Sequence, residues 1–389
     1  MKLSKRALQI NPSPTLAITA KAKEMKKQGI DVISFGAGEP DFDTPDHIKE
    51  EAIRAIREGF TKYTATSGIP ELKQAICEKF KKDNNLAYLP EQILVSNGAK
   101  QCLYNIIQVL IDPGDEVLIP SPYWVSYEEM VKLAGGVCVF LKTTDFKVDK
   151  TTLERSITKK TKALLINSPS NPTGVIYDKN ELENIAKICV KHHIYVISDE
   201  IYESLIYDKK HVSIASFGEN IKQRTIVVNG VSKAYSMTGW RIGYCAGEKE
   251  IIKAASALQD HSTSNANSIA QKAALSALKG PQNMIRIMRD AYKKRRDYMV
   301  KRLQSIKGLE TQKPDGAFYV FVNVSSLYGK HIFDSVKFCS ELLEKAHVAV
   351  IPGKAFGDDR YMRLSYATSD DSIKKGLDRL ESFVNNLLQ

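Results

Sequence analysis

Residues 231–244 read VSKAYSMTGWRIGY and follow the apolar run IVV at 226–228. Such a run is typical of a buried strand, which places Lys233 just beyond a strand end. Its amine can condense with an aldehyde, while the Ser232 hydroxyl and the Arg241 guanidinium can donate hydrogen bonds to a phosphate. The stretch suggests a tethered cofactor that bears a phosphate. Alone it is a weak signal, because a lysine at a strand end is usually only solvated.

Length and composition describe a globular chain with room for more than one domain. The chain has 389 residues, 43% of them hydrophobic, enough for two domains or for one large α/β domain with an appendage. The segment MKLSKRALQINPSP (1–14) contains no continuous apolar stretch, so neither a signal peptide nor a membrane span is predicted and a cytoplasmic location is expected. Six cysteines stand singly, without the spacing of a zinc or redox motif, and predict reduced core residues and no metal site.

The formal net charge of +11 raises the question of a polyanionic partner. The densest basic run, RIMRDAYKKRRDYMVKR at 286–302, carries Met288, Tyr292 and Met299 at helical spacing. That pattern predicts a helix with its basic residues on the solvated face. No nucleic-acid recognition module accompanies the charge, so no nucleic-acid partner is expected. A charge surplus spread over the chain fits the attraction of small anions equally well.

Alternating strand and helix patterns predict the fold class. Short apolar runs separated by helical patterns are typical of a mainly parallel sheet with helices on both faces. The sequence therefore predicts an α/β protein whose large domain holds a mainly parallel seven-stranded sheet between helices. The predicted strands are Gln92–Ser96, Glu116–Ile119, Val137–Leu141, Ala163–Asn167, Tyr195–Asp199, Thr225–Asn229 and Arg241–Ala246.

A smaller α/β domain is predicted from the two ends of the chain. We assign residues 15–44 and 282–389 to it and residues 45–281 to the large domain. Residues 1–14 are expected to form an arm, in which Pro12 and Pro14 prevent a regular helix. The predicted elements of the small domain are helices at Leu16–Gln28, Ile332–Lys345 and Asp371–Leu388 and strands at Ala317–Asn323, Val348–Ile351 and Tyr361–Ser365.

Polar residues that follow the predicted strands form a candidate site, because ligands of parallel sheets bind beyond the carboxyl ends of the strands. Asp199 can pair with the ring nitrogen of a pyridoxal cofactor, and Asn171 and Tyr202 can donate hydrogen bonds to its ring oxygen. Trp124 offers an aromatic face for the ring. Each residue has a structural alternative as a cap, turn or core residue, but their combination with Lys233 favours a cofactor site.

The chain resembles the fold type I pyridoxal-phosphate enzymes, specifically the class I aminotransferases, over nearly its whole length. The resemblance implies that Lys233 holds pyridoxal 5′-phosphate as a Schiff base, that Asp199 pairs with the ring nitrogen, that Asn171 and Tyr202 contact the ring oxygen, and that Trp124 stacks on the ring. Lys233, Asp199 and Tyr202 are the expected catalytic residues. The motifs that carry the resemblance are AGEPDFDTP (37–45), TKY (61–63), SPYW (121–124), NPTG (171–174), SDEIY (198–202), SKAYSMTGWRIGY (232–244) and MRLSYA (362–367).

The resemblance also implies how the phosphate is held. Gly98, Ala99, Ser232 and Arg241 match the phosphate-binding positions of the family. The family tyrosine that matches Tyr63 reaches the cofactor phosphate of the neighbouring subunit. A homodimer with shared active sites is therefore implied.

The substrate positions point to one subgroup. Arg363 matches the arginine that holds the α-carboxylate through two parallel hydrogen bonds. The chain most resembles the bacterial aspartate aminotransferase subgroup, in which a lysine matching Lys100 meets the distal carboxylate of a dicarboxylic substrate. A cation in the first turn of a helix opposes the helix dipole, which favours this functional interpretation of Lys100. Pro14 departs from the family, where relatives often carry a small flexible residue. The implied substrate-binding residues are Thr15, Gly38, Lys100, Trp124, Asn171 and Arg363.

Three activities remain open from the sequence. The first is amino transfer from L-aspartate to 2-oxoglutarate by a ping-pong mechanism, and the second is amino transfer to prephenate, alone or together with the first. The third is a β-lyase or a non-catalytic regulator built on the same fold. A regulator usually carries a DNA-binding module, for which residues 1–30 are too few.

Overall fold

The computed structural model describes residues 3–10 and 14–389, with the side chains of residues 6 and 14–17 outside that description. The strands are β1 (Ile33–Ser34), β2 (Ile93–Ser96), β3 (Glu116–Pro120), β4 (Val137–Leu141), β5 (Thr161–Asn167), β6 (Tyr195–Asp199), β7 (Thr225–Gly230), β8 (Gly243–Ala246), β9 (Glu310–Thr311), β10 (Tyr319–Asn323), β11 (Val348–Ala349), β12 (Ile351–Pro352) and β13 (Tyr361–Ser365). The helices are α1 (Lys5–Leu8), α2 (Pro14–Lys27), α3 (Asp46–Arg57), α4 (Pro70–Asn84), α5 (Ala99–Leu110), α6 (Ser126–Leu133), α7 (Lys150–Ser156), α8 (Lys179–Lys191), α9 (Glu219–Lys222), α10 (Lys249–Ser262), α11 (Ser268–Lys279), α12 (Asn283–Ser305), α13 (Ser335–Ala346) and α14 (Asp370–Leu388).

The largest sheet of the described chain has seven strands in the order β2-β8-β7-β6-β5-β3-β4. Only β8 runs against its neighbours β2 and β7, and the other pairings are parallel. Side chains of β7 alternate between two cores: Ile226 and Val228 pack with α5, α6 and α10, and Val227 packs with α3, α4 and α11. Helices thus cover both faces, so the predicted α/β fold class is confirmed.

A second sheet, in the order β12-β13-β10-β9, is antiparallel and packs with α12, α13 and α14. The N-terminal segment joins this region because β1 pairs with β11, aligning Ile33 with Val348. The strand predicted at Val348–Ile351 divides into two. Its first half pairs with β1 and its second half with β13, so one apolar run serves two sheets.

The prediction that the basic residues of α12 lie on a solvated face is wrong for one residue. Arg296 is only 1% exposed, and its guanidinium donates hydrogen bonds to Asp208 at 2.8 Å and to the Pro314 carbonyl at 3.0 Å. The same group lies 4.5 Å from the ring centre of Tyr207. A guanidinium can be buried when its donors find matched acceptors, and the pattern of charged residues alone does not show those acceptors.

The prediction that Pro14 prevents a helix is also wrong, because Pro14 is the first residue of α2. Proline is tolerated in the first turn of a helix, where its missing N–H has no intrahelical partner to lose. Within residues 3–10 and 14–389, no helix combines the length and the apolar character needed to cross a bilayer.

Candidate active site

A cavity of about 610 Å³ opens at the carboxyl edge of the large sheet, between that sheet and the β10–β13 region. Its size suits a cofactor or a small metabolite. Most of the predicted site residues line it, and they come from widely separated parts of the chain: Gly38, Ala99, Lys100, Trp124, Asn171, Asp199, Tyr202, Ser232, Lys233, Arg241 and Arg363.

Asp199 is the last residue of β6 and is 4% exposed. The Tyr127 hydroxyl donates a hydrogen bond to its Oδ2 at 2.7 Å, and the Ile201 N–H donates to Oδ1 at 3.3 Å. Burial nevertheless raises the pKa of Asp199 to about 6, because desolvation outweighs these hydrogen bonds. A cationic group placed beside this carboxyl would favour its charged form.

The groups around Asp199 include residues that the sequence reasoning missed. Tyr202 shares a hydrogen bond of 2.8 Å with Tyr319, hydroxyl to hydroxyl. Asn167 donates to the Asp199 carbonyl at 2.9 Å and accepts the backbone N–H of Asn171 at 2.7 Å. Asn167 ends β5, so the strand-end rule could have found it, whereas Tyr319 reaches the site only through the pairing of β10 with β13.

Lys233 points its amine into the cavity, where Nζ donates a hydrogen bond to the Gly38 carbonyl at 2.5 Å. Desolvation, opposed by Glu39 and Asp199 and assisted by Arg241 and Arg363, lowers the pKa of Lys233 to about 8. A lysine with this pKa is partly neutral near pH 7 to 8 and can act as a nucleophile or a base.

This lowered pKa predicts a distinct pH profile for the cofactor-free protein. Only the neutral amine attacks an aldehyde, so labelling of Lys233 should rise about tenfold per pH unit below pH 8 and then level off. The rate is measured by brief exposure to a small aldehyde, borohydride trapping and peptide mapping. Exposed lysines in the same digest are the control, and their labelling should keep rising towards about pH 10. A Lys233 profile that matches theirs would contradict the shift.

The turn between β2 and α5 has the donor set of a phosphate site. Gly98 has φ +85°, a backbone conformation that favours glycine, and without a Cβ it leaves room for the Arg241 guanidinium, whose Nη2 would lie 2.4 Å from a Cβ at this position. The Arg241 guanidinium donates to the carbonyls of Asn97 and Thr238 at 3.2 and 2.9 Å. Ser232 and Ala99 line the same cavity. Ala99 is the first residue of α5, and the N-terminus of a helix favours a bound anion.

Arg363, on β13, is 3% exposed, and its Nε is buried without a hydrogen-bond partner. Its other nitrogens donate to Asn171 Oδ1 at 2.9 Å and to the Gly36 carbonyl at 3.1 Å. The guanidinium lies 4.4 Å from the ring centre of Tyr319. It forms no ion pair with any described residue. A buried guanidinium with no counter-charge is costly, and a ligand carboxylate would relieve that cost.

Lys100 lies in the first turn of α5, with Nζ 4.9 Å from the ring centre of Trp124. Burial lowers its pKa, and Arg241 lowers it further. Within the described ranges it has no carboxylate partner. Lys100 is therefore a second cation in the cavity wall that lacks a counter-charge.

Two predicted residues are not part of this arrangement. Tyr63 is 91% exposed and does not line the cavity. Thr15 lies in α2, but its side chain falls outside the described residues.

The cavity fits pyridoxal 5′-phosphate and an amino acid. Asp199 suits a cationic ring nitrogen, the Lys233 amine suits the aldehyde, and the turn at Gly98 with Arg241 suits the phosphate. The unpartnered Nε of Arg363 leaves a donor for a substrate carboxylate.

Comparison with known proteins gives similarity over the full length of the chain. The family model described as Aminotransferase class I and II matches residues 30–380. An aspartate aminotransferase of Bacillus sp. (strain YM-2) is 52% identical over 387 residues, which are 98% of this chain and 99% of that protein. A probable aspartate/prephenate aminotransferase of Rickettsia conorii is 51% identical over 98% of each chain. The solved structure of an aspartate aminotransferase from Thermus thermophilus with maleate has a TM-score of 0.94 and 46% identity, covering 98% of this chain and 99% of that one.

Proposed function

The chain belongs to the class I and class II aminotransferases, and we propose that it transfers the amino group of L-aspartate to 2-oxoglutarate, giving oxaloacetate and L-glutamate. The family resemblance inferred from the motifs is confirmed, and with it the cofactor, pyridoxal 5′-phosphate. One observation carries the choice of substrate: Arg363 and Lys100 line the same cavity and neither has a counter-charge among the described residues. A substrate with two carboxylates can neutralise both. The Thermus thermophilus relative solved with maleate supports this choice.

Pyridoxal phosphate, when bound, supplies an electron sink for the negative charge that develops at the substrate Cα. In our proposal the Lys233 Nζ, with its lowered pKa, takes up the proton from the substrate Cα and later donates it again. Asp199 favours a positive charge on the group beside it, and the Tyr202 hydroxyl, oriented by Tyr319, donates to an anionic oxygen.

The remaining residues bind and orient. We propose that Gly98, Ala99, Ser232 and Arg241 hold the phosphate and that Trp124 packs against the ring. Arg363 and Asn171 would orient the substrate α-carboxylate, supported by their mutual hydrogen bond of 2.9 Å. We also propose that Gly38 and Thr15 contact the substrate.

We also propose a homodimer with shared active sites. Tyr63 is 91% exposed, and Ile53 and Ile56 on α3 are 38% and 54% exposed. Exposed apolar side chains grouped on one helix are typical of an interface. For the domains we propose 15–44 with 282–389 as the small domain and 45–281 as the large one, which places the two main sheets in different domains.

The proposed reaction can be tested with the absorbance of the cofactor itself. Glutamate should convert the bound pyridoxal form to the pyridoxamine form, and oxaloacetate should restore the first band faster than prephenate does. Faster recovery with prephenate would favour the second candidate function, which the 51% identical Rickettsia conorii relative supports. A band that glutamate never converts would contradict the dicarboxylate assignment and favour a β-lyase, for which pyruvate release is the assay.

Replacing Lys100 with glutamine should affect dicarboxylic substrates selectively. Removing one charged hydrogen bond of about 1.5–3 kcal/mol should lower kcat/KM for aspartate and 2-oxoglutarate by roughly 10- to 100-fold. Activity with alanine, which has no distal carboxylate, should be unchanged. Steady-state kinetics on both substrates measure the contrast, and Lys187→Gln, an exposed position on α8, is the matched control. Equal losses on aspartate and alanine would argue against this role for Lys100.

A further inference from the structure

The turn after β6 presents two faces. The Glu203 N–H donates to the Glu200 carbonyl at 3.0 Å and the Leu205 N–H donates to the Tyr202 carbonyl at 2.8 Å, so residues 200–205 form a tight helical turn. Side chains three residues apart lie on the same side of such a turn. Asp199 and Tyr202 line the active-site cavity, whereas Glu200 and Glu203 do not.

Glu200 is buried on the opposite side of the turn, with 1% of its surface exposed. Its Oε1 accepts hydrogen bonds from the hydroxyls of Ser198 and Ser213 at 2.9 and 2.7 Å. Its Oε2 lies 2.8 Å from Nε2 of His211. Both carboxylate oxygens therefore have partners, and these fix the side chain from two directions.

Glu203 is held in a similar way. Its carboxylate forms an ion pair with Lys79, whose side chain is only 10% exposed, and accepts a hydrogen bond from Asn84 at 2.7 Å. Lys79 donates in turn to Asn84 Oδ1 at 2.6 Å. His211 Nε2 lies 3.8 Å from the same Glu203 carboxylate, so the imidazole lies between the two glutamates.

These four residues, Lys79, Glu200, Glu203 and His211, form what we call the buried clamp. Burial alone would lower the pKa of His211, but Glu200 and Glu203 outweigh it and raise that pKa, so the imidazolium form is favoured. Two carboxylates then face an ammonium and an imidazolium, and the partly exposed Asp83 carboxylate lies 3.8 Å from the same Lys79 ammonium. The ligand atoms of Glu200, Glu203 and His211 lie within 4.8 Å of one another, as in a metal site. Lys79 already neutralises Glu203, however, and a divalent cation there would be repelled by the ammonium.

We propose that the buried clamp is a positioning unit for cofactor binding: by fixing the outer side of the turn, it holds Asp199 and Tyr202 in the orientation that the cofactor requires. Functional groups must be held within about 0.5 Å of their working geometry, and such precision comes from neighbours with locked side chains. The inference rests on the assignment of pyridoxal phosphate to this cavity. It adds Glu200, Glu203, His211 and Lys79 as residues that act without touching cofactor or substrate.

His211→Gln and Glu203→Gln test the proposal, with His192→Gln, an exposed position after α8, as the matched control. Four measurements are made: the Kd of pyridoxal phosphate by fluorescence titration of the cofactor-free protein, the pH titration of the bound cofactor's absorbance, the steady-state kcat and KM of amino transfer, and the melting temperature. We expect both clamp variants to bind the cofactor about tenfold more weakly and to shift the absorbance titration. We also expect them to lower kcat with a smaller change in KM, because a misplacement of about 1 Å can lower the reaction rate by as much as about 100-fold. The control should match the parent protein in all four.

The outcomes separate positioning from simple stabilisation. Variants that melt earlier but bind the cofactor with the parent Kd and the parent absorbance titration would overturn the proposal. If neither clamp variant folds, Ser213→Ala removes one hydroxyl from Glu200 and should give the same changes at smaller size, and a parental Kd and titration in Ser213→Ala would overturn the proposal as well. A parent protein that binds no pyridoxal phosphate would instead refute the proposed function, before any variant is compared.

Discussion

Replacing Lys233 with alanine is expected to abolish transamination, with kcat lowered by about four orders of magnitude or more. In the proposed mechanism the Lys233 amine both tethers the cofactor and moves the Cα proton. The loss of one residue thus removes two functions. The measurement is the amino transfer rate from glutamate to oxaloacetate at saturating pyridoxal phosphate.

The Lys233→Ala variant should still bind the cofactor without a covalent bond. Asp199 and the turn at Gly98 with Arg241 do not depend on the lysine for their positions, since none of them forms a hydrogen bond with it. Borohydride should therefore fix the cofactor to the parent protein and not to the variant, while a fluorescence titration detects binding by both. Lys187→Gln serves as the control for a lost surface lysine. Turnover near the parent rate in Lys233→Ala would refute the assigned role.

Much of the site could be predicted because its residues follow strand ends. Asp199, Asn171 and Lys233 lie where parallel strands present their carboxyl ends, and this edge can be located from apolar runs alone. Tyr319 could not be found in this way. It enters the cavity because β10 pairs with β13 in a register that aligns Tyr319 with Ser365, and a pairing register is a long-range property that local patterns do not encode.

Buried charges limited the sequence prediction in the same way. Arg296 was assigned to a solvated face because it is charged, yet Asp208 and the Pro314 carbonyl satisfy it in the interior. Glu200 belongs to the SDEIY motif and Glu203 follows it directly, but the motif assigns neither residue a role, since His211 and Lys79 come from other segments of the chain. A charged residue can be predicted to lie in the core only when its partners are known, and the fold determines those partners.

Replacing Arg363 with alanine should lower kcat/KM for every amino-acid substrate alike. The truncation removes a charged partner from a buried carboxylate, a change that costs about 2–5 kcal/mol, so kcat/KM should fall on the order of 1,000-fold for both aspartate and alanine. Arg360→Ala is the matched control, because Arg360 is an exposed arginine three residues earlier in the chain whose partner is Asp358.

Comparison of Arg363→Ala with Lys100→Gln tests which carboxylate of the substrate each cation binds. In the proposed binding mode every amino acid presents an α-carboxylate to Arg363, and only dicarboxylic acids present a second carboxylate to Lys100. Arg363→Lys should recover part of the activity, since it restores the charge but not the parallel pair of hydrogen bonds. A loss confined to aspartate in Arg363→Ala would mean that Arg363 meets the distal carboxylate, and the two assignments would then have to be exchanged.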